Sequence, residues 1–319
     1  MSPPLAVAAD LYGATTADFK ALGAFESDVY EFVGPHGPSI LKVIAPEHRT
    51  VDEVQAEVDW LLALREGGLR VAEPIASRNG KWVETSSAGP DHKVLVAFRR
   101  AAGRVTAPPD WTDARITAWG EMLGHLQDHS RGWNPPGPRR KHLAEKINLT
   151  GFSEVVPDDP AFVAAAEVLA GEAGPLLRNG ADSGLIHADL HHWNLLLAGE
   201  EWTAIDFDDS AYGPYAFDLA MPLFYAVRSP REGTPDTIAE WFLGPFLSGF
   251  TRRTSLPVTT AEELSLYLRF RELDLVMALR LKLPDEKWTK SLRETEVKLR
   301  RNVAEGREVV SSALLRRWF

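Results

Sequence analysis

Residues 186–209 read IHADLHHWNLLLAGEEWTAIDFDD, and the fold of the chain turns on how that stretch is read. It sets three histidines, four aspartates and an asparagine around a short apolar segment. Two apolar runs, 195–197 and 203–205, flank Ala198-Gly199-Glu200-Glu201, the pattern of a β-hairpin. A hairpin centred on Glu200 makes Asn194 and Asp206 cross-strand neighbours, just as 197 opposes 203. Opposed positions lie about 4.5–5.5 Å apart. Two oxygen ligands at that separation can hold one hard cation such as Mg²⁺, with phosphate and water completing its shell. Asp189, five residues before Asn194, then sits in the loop leading into the same site.

Composition bounds what such a site can belong to. The 319 residues are 45% hydrophobic and 25% charged, ordinary globular usage with enough chain for two lobes. There is no cysteine, which removes disulfides, thiolate metal sites and a thiol nucleophile. A formal net charge of −10 argues against nucleic acid as a partner, since neutralising phosphates needs a basic face. The first ten residues, MSPPLAVAAD, lack a basic region followed by a long apolar run, and no run approaches eighteen apolar residues. These features lead us to expect a cytoplasmic protein without a membrane partner.

Upstream of the hairpin, residues 1–100 read as a small sheet with one helix. Runs 25–33 and 39–44 are strand-like and are separated by Gly34-Pro35-His36-Gly37-Pro38. Lys42 shares a strand face with Ile40 and Ile44, which puts a lysine on an apolar surface. Over 51–64, Val51, Val54, Val58, Leu61 and Leu62 keep helical spacing, and Glu57 lies on the edge of that inward stripe. A buried ammonium and a buried carboxylate each need a partner. The economical expectation is that Lys42 and Glu57 pair, with the lysine reaching on to a phosphate; the residues alone leave open that both are solvated. Short strands follow over 71–76, 81–85 and 94–98, and the character of the chain changes near residue 100.

Residues 101–319 read as mostly helical. Thr112 caps a helix to about His129, 160–177 forms another, and further helices are predicted over 215–227, 234–250, 260–281 and 286–318. In the last, Trp288, Leu292, Leu299, Val303, Val310 and Leu314 alternate spacings of four and seven, an eleven-residue repeat along a nearly straight helix. That stripe suits packing within the helical part or, as the alternative, a homodimer; the chain is expected to be a monomer or a homodimer.

Lys42, Glu57, Asp189, Asn194 and Asp206 together are the inventory of phosphoryl transfer: a cation for the phosphates, a carboxylate to orient it, a base and metal ligands. HADLHHWN resembles the catalytic loop of kinases, and IDFDD stands where those enzymes carry their metal-binding DFG triplet. With Tyr212-Gly213-Pro214 and Asp218-Leu219-Ala220 downstream, the pattern is similar to the aminoglycoside phosphotransferase and choline kinase family of kinase-like small-molecule phosphotransferases.

The resemblance implies an α+β, bilobal protein-kinase-like fold, with a β-rich nucleotide-binding lobe over 1–100 and a helical lobe over 101–319. It implies Asp189 as catalytic base and Asn194 and Asp206 as Mg²⁺ ligands. Lys42 would contact the α- and β-phosphates, held by Glu57. Ser27 and the backbone of Arg99 to Ala101 would complete the ATP site. Asp218 and His187 would brace the loop. Asp208 and Asp209 are left open between a site role and turn chemistry. The turn at 23–28 has a single glycine rather than a glycine-rich phosphate loop, which favours the small-molecule branch and leaves GTP open beside ATP.

The activity implied is an ATP- and Mg²⁺-dependent kinase acting on a hydroxyl of an amino alcohol, amino sugar or aminoglycoside. The alternatives are a protein serine/threonine kinase of the bacterial stress-response type, a metal-dependent hydrolase using His187, Asp189 and His191 on one strand face, and a binding-only pseudokinase. Trp193, Tyr215, Arg269, Glu272 and Asp274 are candidates for acceptor recognition.

Overall fold

The computed structural model describes residues 3–23, 27–87, 92–147 and 149–319. In chain order the regular elements begin with α1 (Pro3–Tyr12), β1 (Lys20–Gly23), β2 (Asp28–Gly34), β3 (Gly37–Ile44), α2 (Val51–Glu66), β4 (Glu73–Ile75), β5 (Val83–Thr85) and β6 (Val94–Arg99). They continue with α3 (Asp113–Gly132), α4 (Leu143–Lys146), α5 (Phe152–Val155), α6 (Pro160–Asn179), β7 (Ser183–Ile186), β8 (Leu195–Ala198), β9 (Glu201–Ala204) and β10 (Ala211–Pro214). The rest is helical: α7 (Tyr215–Ala226), α8 (Pro235–Phe250), α9 (Ala261–Lys282), α10 (Lys290–Ala304) and α11 (Ser312–Leu315).

Two compact units form. The first contains 1–104, 133–140 and 196–208; the second contains 105–132, 141–195 and 209–319. A boundary drawn near residue 100 therefore leaves two later segments of the β-rich unit, 133–140 and 196–208, on the helical side.

The first unit is built on an antiparallel sheet in the order β1-β2-β3-β6-β4, with β5 also pairing β6. The hairpin anticipated around Gly34 forms with Gly34 opposite Gly37, and β2 begins at Asp28; residues 24–26, including the expected strand start at Phe25, lie outside the described residues. Side chains alternate across the sheet. Leu41, Val43, Leu95, Ala97 and Phe32 pack with Ala8 and Tyr12 of α1 on one face. Ile40, Lys42 and Ile44 point to the other, in register with Phe98, Val96 and Val94. Helix α2 packs on the sheet. It starts where Thr50 and Glu53 form a reciprocal capping box; of the predicted stripe Val54, Val58 and Leu61 are buried, Val51 and Leu62 are partly exposed, and Leu64 is buried in addition.

In the second unit, α3 and α8 cross closely because three glycines remove side chains at the crossing. A methyl on Gly120 would fall on the Phe246 carbonyl, and one on Gly249 on the Thr117 carbonyl. Helix α6 is long and apolar enough to cross a membrane by length and composition, yet Phe162, Leu169, Ala173 and Leu177 are buried inside the protein. The single helix expected over 286–318 is two. Chain direction breaks at Gly306, where φ is +64°, a conformation glycine adopts without strain, so the repeat buries Leu299, Val303, Val310 and Leu314 without one straight helix.

Gly120→Ala should destabilise the protein by about 1–3 kcal/mol through overpacking at this crossing. Thermal unfolding of the variant against wild type measures it.

Candidate active site

In the first unit, the residues expected to meet phosphate sit in a run of alternating charges that is buried at Glu57 and Arg49 and open to solvent at Asp206. Lys42 Nζ lies 2.7 Å from Asp206 Oδ1 and 2.7 Å from Asp208 Oδ1. Arg49 continues the run: its Nη1 is 2.6 Å from Asp208 Oδ1, and its Nη2 pairs with Glu57. Arg140 adds a further anchor, donating to the Asp208 carbonyl at 2.6 Å and to the Glu53 carbonyl at 2.8 Å.

The direct Lys42–Glu57 pair anticipated from sequence is thus replaced. Glu57 is buried as expected, but its partner is Arg49, and the lysine is held by two aspartates. The physical reason is position: Arg49 precedes the cap residue Thr50 and reaches Glu57 eight residues on, while 206–208 return to the same unit.

Burial disfavours the Lys42 ammonium, but Asp206, Asp208 and Glu57 outweigh it and hold its pKa well above the ordinary lysine value. For Asp208 burial likewise opposes charge, and Lys42, Arg49 and Arg140 reverse it, holding the carboxyl far below its usual range.

Asp206 is in left-handed backbone, φ +63°, which is uncommon for a residue other than glycine. The β8–β9 ladder covers 195–198 and 201–204 around a Gly199-Glu200 turn, so it stops short of both Asn194 and Asp206. The expectation that these two are ladder partners is corrected: Asn194 ends a 3₁₀ turn, His192–Asn194, and Asp206 lies beyond β9.

Arg99 closes β6 opposite Ser39 and Glu73, and its Nη1 donates to the His36 carbonyl at 2.7 Å. The Arg100 N–H donates to the Pro38 carbonyl, and Ala101 follows past the end of the ladder. Ser27 lies just before β2. The turn proposed there for phosphate includes 24–26, outside the described residues.

The second unit carries the catalytic-loop sequence. β7 ends at Ile186, where it pairs with Ala211 of β10, and β10 leads into α7. Asp218, in the first turn of α7, accepts the His187 N–H at 2.8 Å and the Ala188 N–H at 2.7 Å. Burial pushes the Asp218 carboxyl up to about 7 despite those two donors. Ala188 has φ +68°, and this turn takes residues 187–191 off any strand. His187, Asp189 and His191 therefore do not share a strand face, which removes the arrangement that a hydrolase would require. His187 is buried, and its Nδ1 accepts the Asp189 N–H at 3.3 Å.

Asp189 is gripped on both oxygens. Arg271 of α9 donates to Oδ1 at 2.6 Å; His191 Nε2 lies 3.2 Å from Oδ2; Asn194 Nδ2 donates to the Asp189 carbonyl at 2.9 Å and to Oδ2 at 3.3 Å. Burial opposes the charge, but Arg271 and His191 hold the carboxyl below the usual aspartate range. Arg271 also binds Asp274 at 2.6 Å and Tyr225 Oη at 2.9 Å. Sequence reasoning missed it. The available signal was its place three residues after Leu268 and seven after Leu264, both buried, which puts a guanidinium on the inward stripe of α9. Of the acceptor candidates, Glu272 is consumed by Arg228 and Asn302, and Tyr215 is buried under the Arg131 guanidinium. Asp274 and Trp193 stay in the neighbourhood of Asp189 through Arg271 and His191.

A family model described as the phosphotransferase enzyme family, APH, matches residues 18–254. The chain belongs to that family. Within reach of this APH-family chain, amicoumacin kinase of Bacillus subtilis (strain 168) is 30% identical over 275 residues, 84% of this chain and 82% of that protein. Among solved structures, amicoumacin kinase hAmiN in complex with AMP-PNP, Ca²⁺ and Ami superposes with a TM-score of 0.80 at 23% identity, covering 95% of this chain and 92% of that one. A microcompartment-associated aminopropanol kinase gives 0.67 at 23% identity, covering 99% and 97%. Choline kinase LicA from Streptococcus pneumoniae gives 0.59 at 13% identity, covering 90% and 93%. The family assignment and the kinase-like α+β fold expected from sequence are both borne out, and the APH-family chain is a small-molecule kinase.

Two outcomes are expected from the buried charges. Arg49→Met, which strands the buried Glu57 carboxylate while Asp208 keeps Lys42, should cost about 3–5 kcal/mol in denaturant unfolding. The Asp208 carboxyl has a lowered folded pKa, so its stabilisation is full above the ordinary value of 3.8 and is lost as pH falls below it. Asp208→Asn should thus be less stable than wild type near neutral pH but lose less on further acidification, as acid unfolding followed by circular dichroism would record.

Proposed function

We propose that this kinase transfers the γ-phosphoryl group of ATP, with Mg²⁺, to a hydroxyl of a small acceptor bearing an amino group, in the class of amino alcohols, amino sugars and aminoglycosides. The observation that carries the reading is the state of Asp189: a partly buried carboxylate held ionised on a loop pinned by Asp218, with the Asn194 amide tied to it. Such a group is an acceptor only, and it suits a proton arriving from a hydroxyl.

In this reading the acceptor O–H donates to Asp189 as its oxygen bonds to the γ-phosphorus. The bond to the β–γ bridging oxygen breaks, and ADP leaves. Lys42 neutralises the α- and β-phosphates, and Asp208 and Arg49 hold it ready, with Glu57 behind them. Ser27 and the Arg99–Ala101 backbone serve the nucleotide.

The donor set fits Mg²⁺. With Nδ2 committed to Asp189, Asn194 offers its carbonyl oxygen, and Asp206 offers a carboxylate that is about half exposed; both are the hard oxygen ligands this ion takes. When bound, the ion neutralises charge developing on the transferred phosphoryl group. Kinases of amicoumacin and aminopropanol among the relatives support a small acceptor over a protein substrate.

ADP release is the test, with aminopropanol, choline, kanamycin and amicoumacin as acceptors. Wild type should turn over at least one, EDTA should abolish turnover and Mg²⁺ restore it, and Asp189→Asn should reduce kcat by about 10²–10⁴-fold. Equal turnover by wild type and Asp189→Asn would overturn the assignment of the base, and a GTP preference would show as GDP release.

A further inference from the structure

Trp193 stands out by its exposure. It is 57% accessible, whereas Trp60, Trp111, Trp119 and Trp202 are at most 3% exposed, and among the described residues it is the one tryptophan classed with the exposed large hydrophobics. A large apolar ring left in water forgoes the burial that usually fixes such a side chain. Trp193 is nonetheless rigidly placed. His191 Nδ1 accepts its backbone N–H at 3.2 Å, and the rings of His191, His192 and Tyr225 surround its indole at centroid distances of 5.4, 4.6 and 5.8 Å. Behind it, His192 meets Trp111 at 5.3 Å, and Trp111 stacks on Trp241 at 6.4 Å. The row of rings runs from the core outward and ends on the open indole.

The same imidazole ties the turn that carries the indole to the chemistry. While Nδ1 accepts the Trp193 backbone N–H, Nε2 of His191 lies 3.2 Å from Asp189 Oδ2. One ring therefore sets both the base and the platform, four residues apart. An acceptor whose hydroxyl reaches Asp189 has Trp193 beside it.

We infer that Trp193 is a specificity-determining residue of the acceptor site, receiving a planar apolar ring of the acceptor on its exposed indole while the acceptor hydroxyl meets Asp189. This rests on the kinase reading above. Indole faces also attract cations, but the charges nearby disfavour that occupant. Arg271 already brings a cation to within 5.7 Å of the Tyr225 ring and neutralises both Asp189 and Asp274. Among the described residues, the side chains packed around the Trp193 indole are the rings of His191, His192 and Tyr225.

A matched pair of acceptors isolates the ring: 2-amino-1-phenylethanol and 1-amino-2-propanol share the amine and the secondary hydroxyl and differ by phenyl against methyl. Calorimetric titration of the full chain should show the phenyl compound binding about tenfold more tightly. Trp193→Ala should erase that ratio without lowering the melting temperature, because the ring is exposed, and Trp193→Phe should restore most of it. Equal affinities in wild type, no binding of the phenyl compound, a preference that survives Trp193→Ala, or tighter binding of choline than of either would overturn the inference. Failure of the kinase reading looks different: no ADP release with any acceptor, alongside an intact ring preference in binding.

Discussion

The first unit depends on a string of opposite charges that none of its members could sustain alone. Removing a carboxylate or an ammonium from water costs several kcal/mol per ion, and the attraction between neighbours offsets that cost only where every charge has a partner at close range. Glu57, Arg49, Asp208, Lys42 and Asp206 meet the condition by alternating in sign, each touching the next. Lys42 is therefore in place and charged before any phosphate arrives. The string also ties the start of α2 to β3 and to the segment after β9, so that electrostatics fix what apolar packing of a small sheet would leave loose.

Asp189 is governed by the same physics with a different geometry. Its carboxylate is held by a guanidinium, an imidazole and an amide, and its backbone is set by a turn whose Ala188 lies at φ +68°. Non-glycine residues in that region are strained and persist where the surroundings over-determine them. Here Asp218 does so, taking two consecutive N–H groups with one carboxylate. A buried aspartate with no substrate to touch thus shapes the loop that carries the base.

Much of this was legible in the sequence because it rests on local patterns. Helix α2 announces itself through the spacing of Val54, Val58 and Leu61, and Lys42 is flagged by its apolar neighbours on one strand face. Asp189, Asn194 and Asp218 were marked by motif spacing. What stayed hidden was partner choice. Nothing in the local pattern says that Glu57 takes Arg49 instead of Lys42, since that depends on where residues 206–208 return. Asp208 looked equally like a turn former, and only its contacts with Lys42, Arg49 and Arg140 separate the two uses. Gly306 hid within an apolar repeat that continues on either side of it, because a repeat reports burial and not the direction of the axis.

The first unit is assembled from three stretches of chain, and this bears on its birth. Lys42 and Asp206 are 164 positions apart. At about 5–20 residues per second of synthesis, Lys42 and Arg49 wait roughly ten to thirty seconds before their aspartates leave the ribosome. During that interval Lys42 and Arg49 have only Glu57 to offset their two charges, and the sheet exposes surface that aggregation can use.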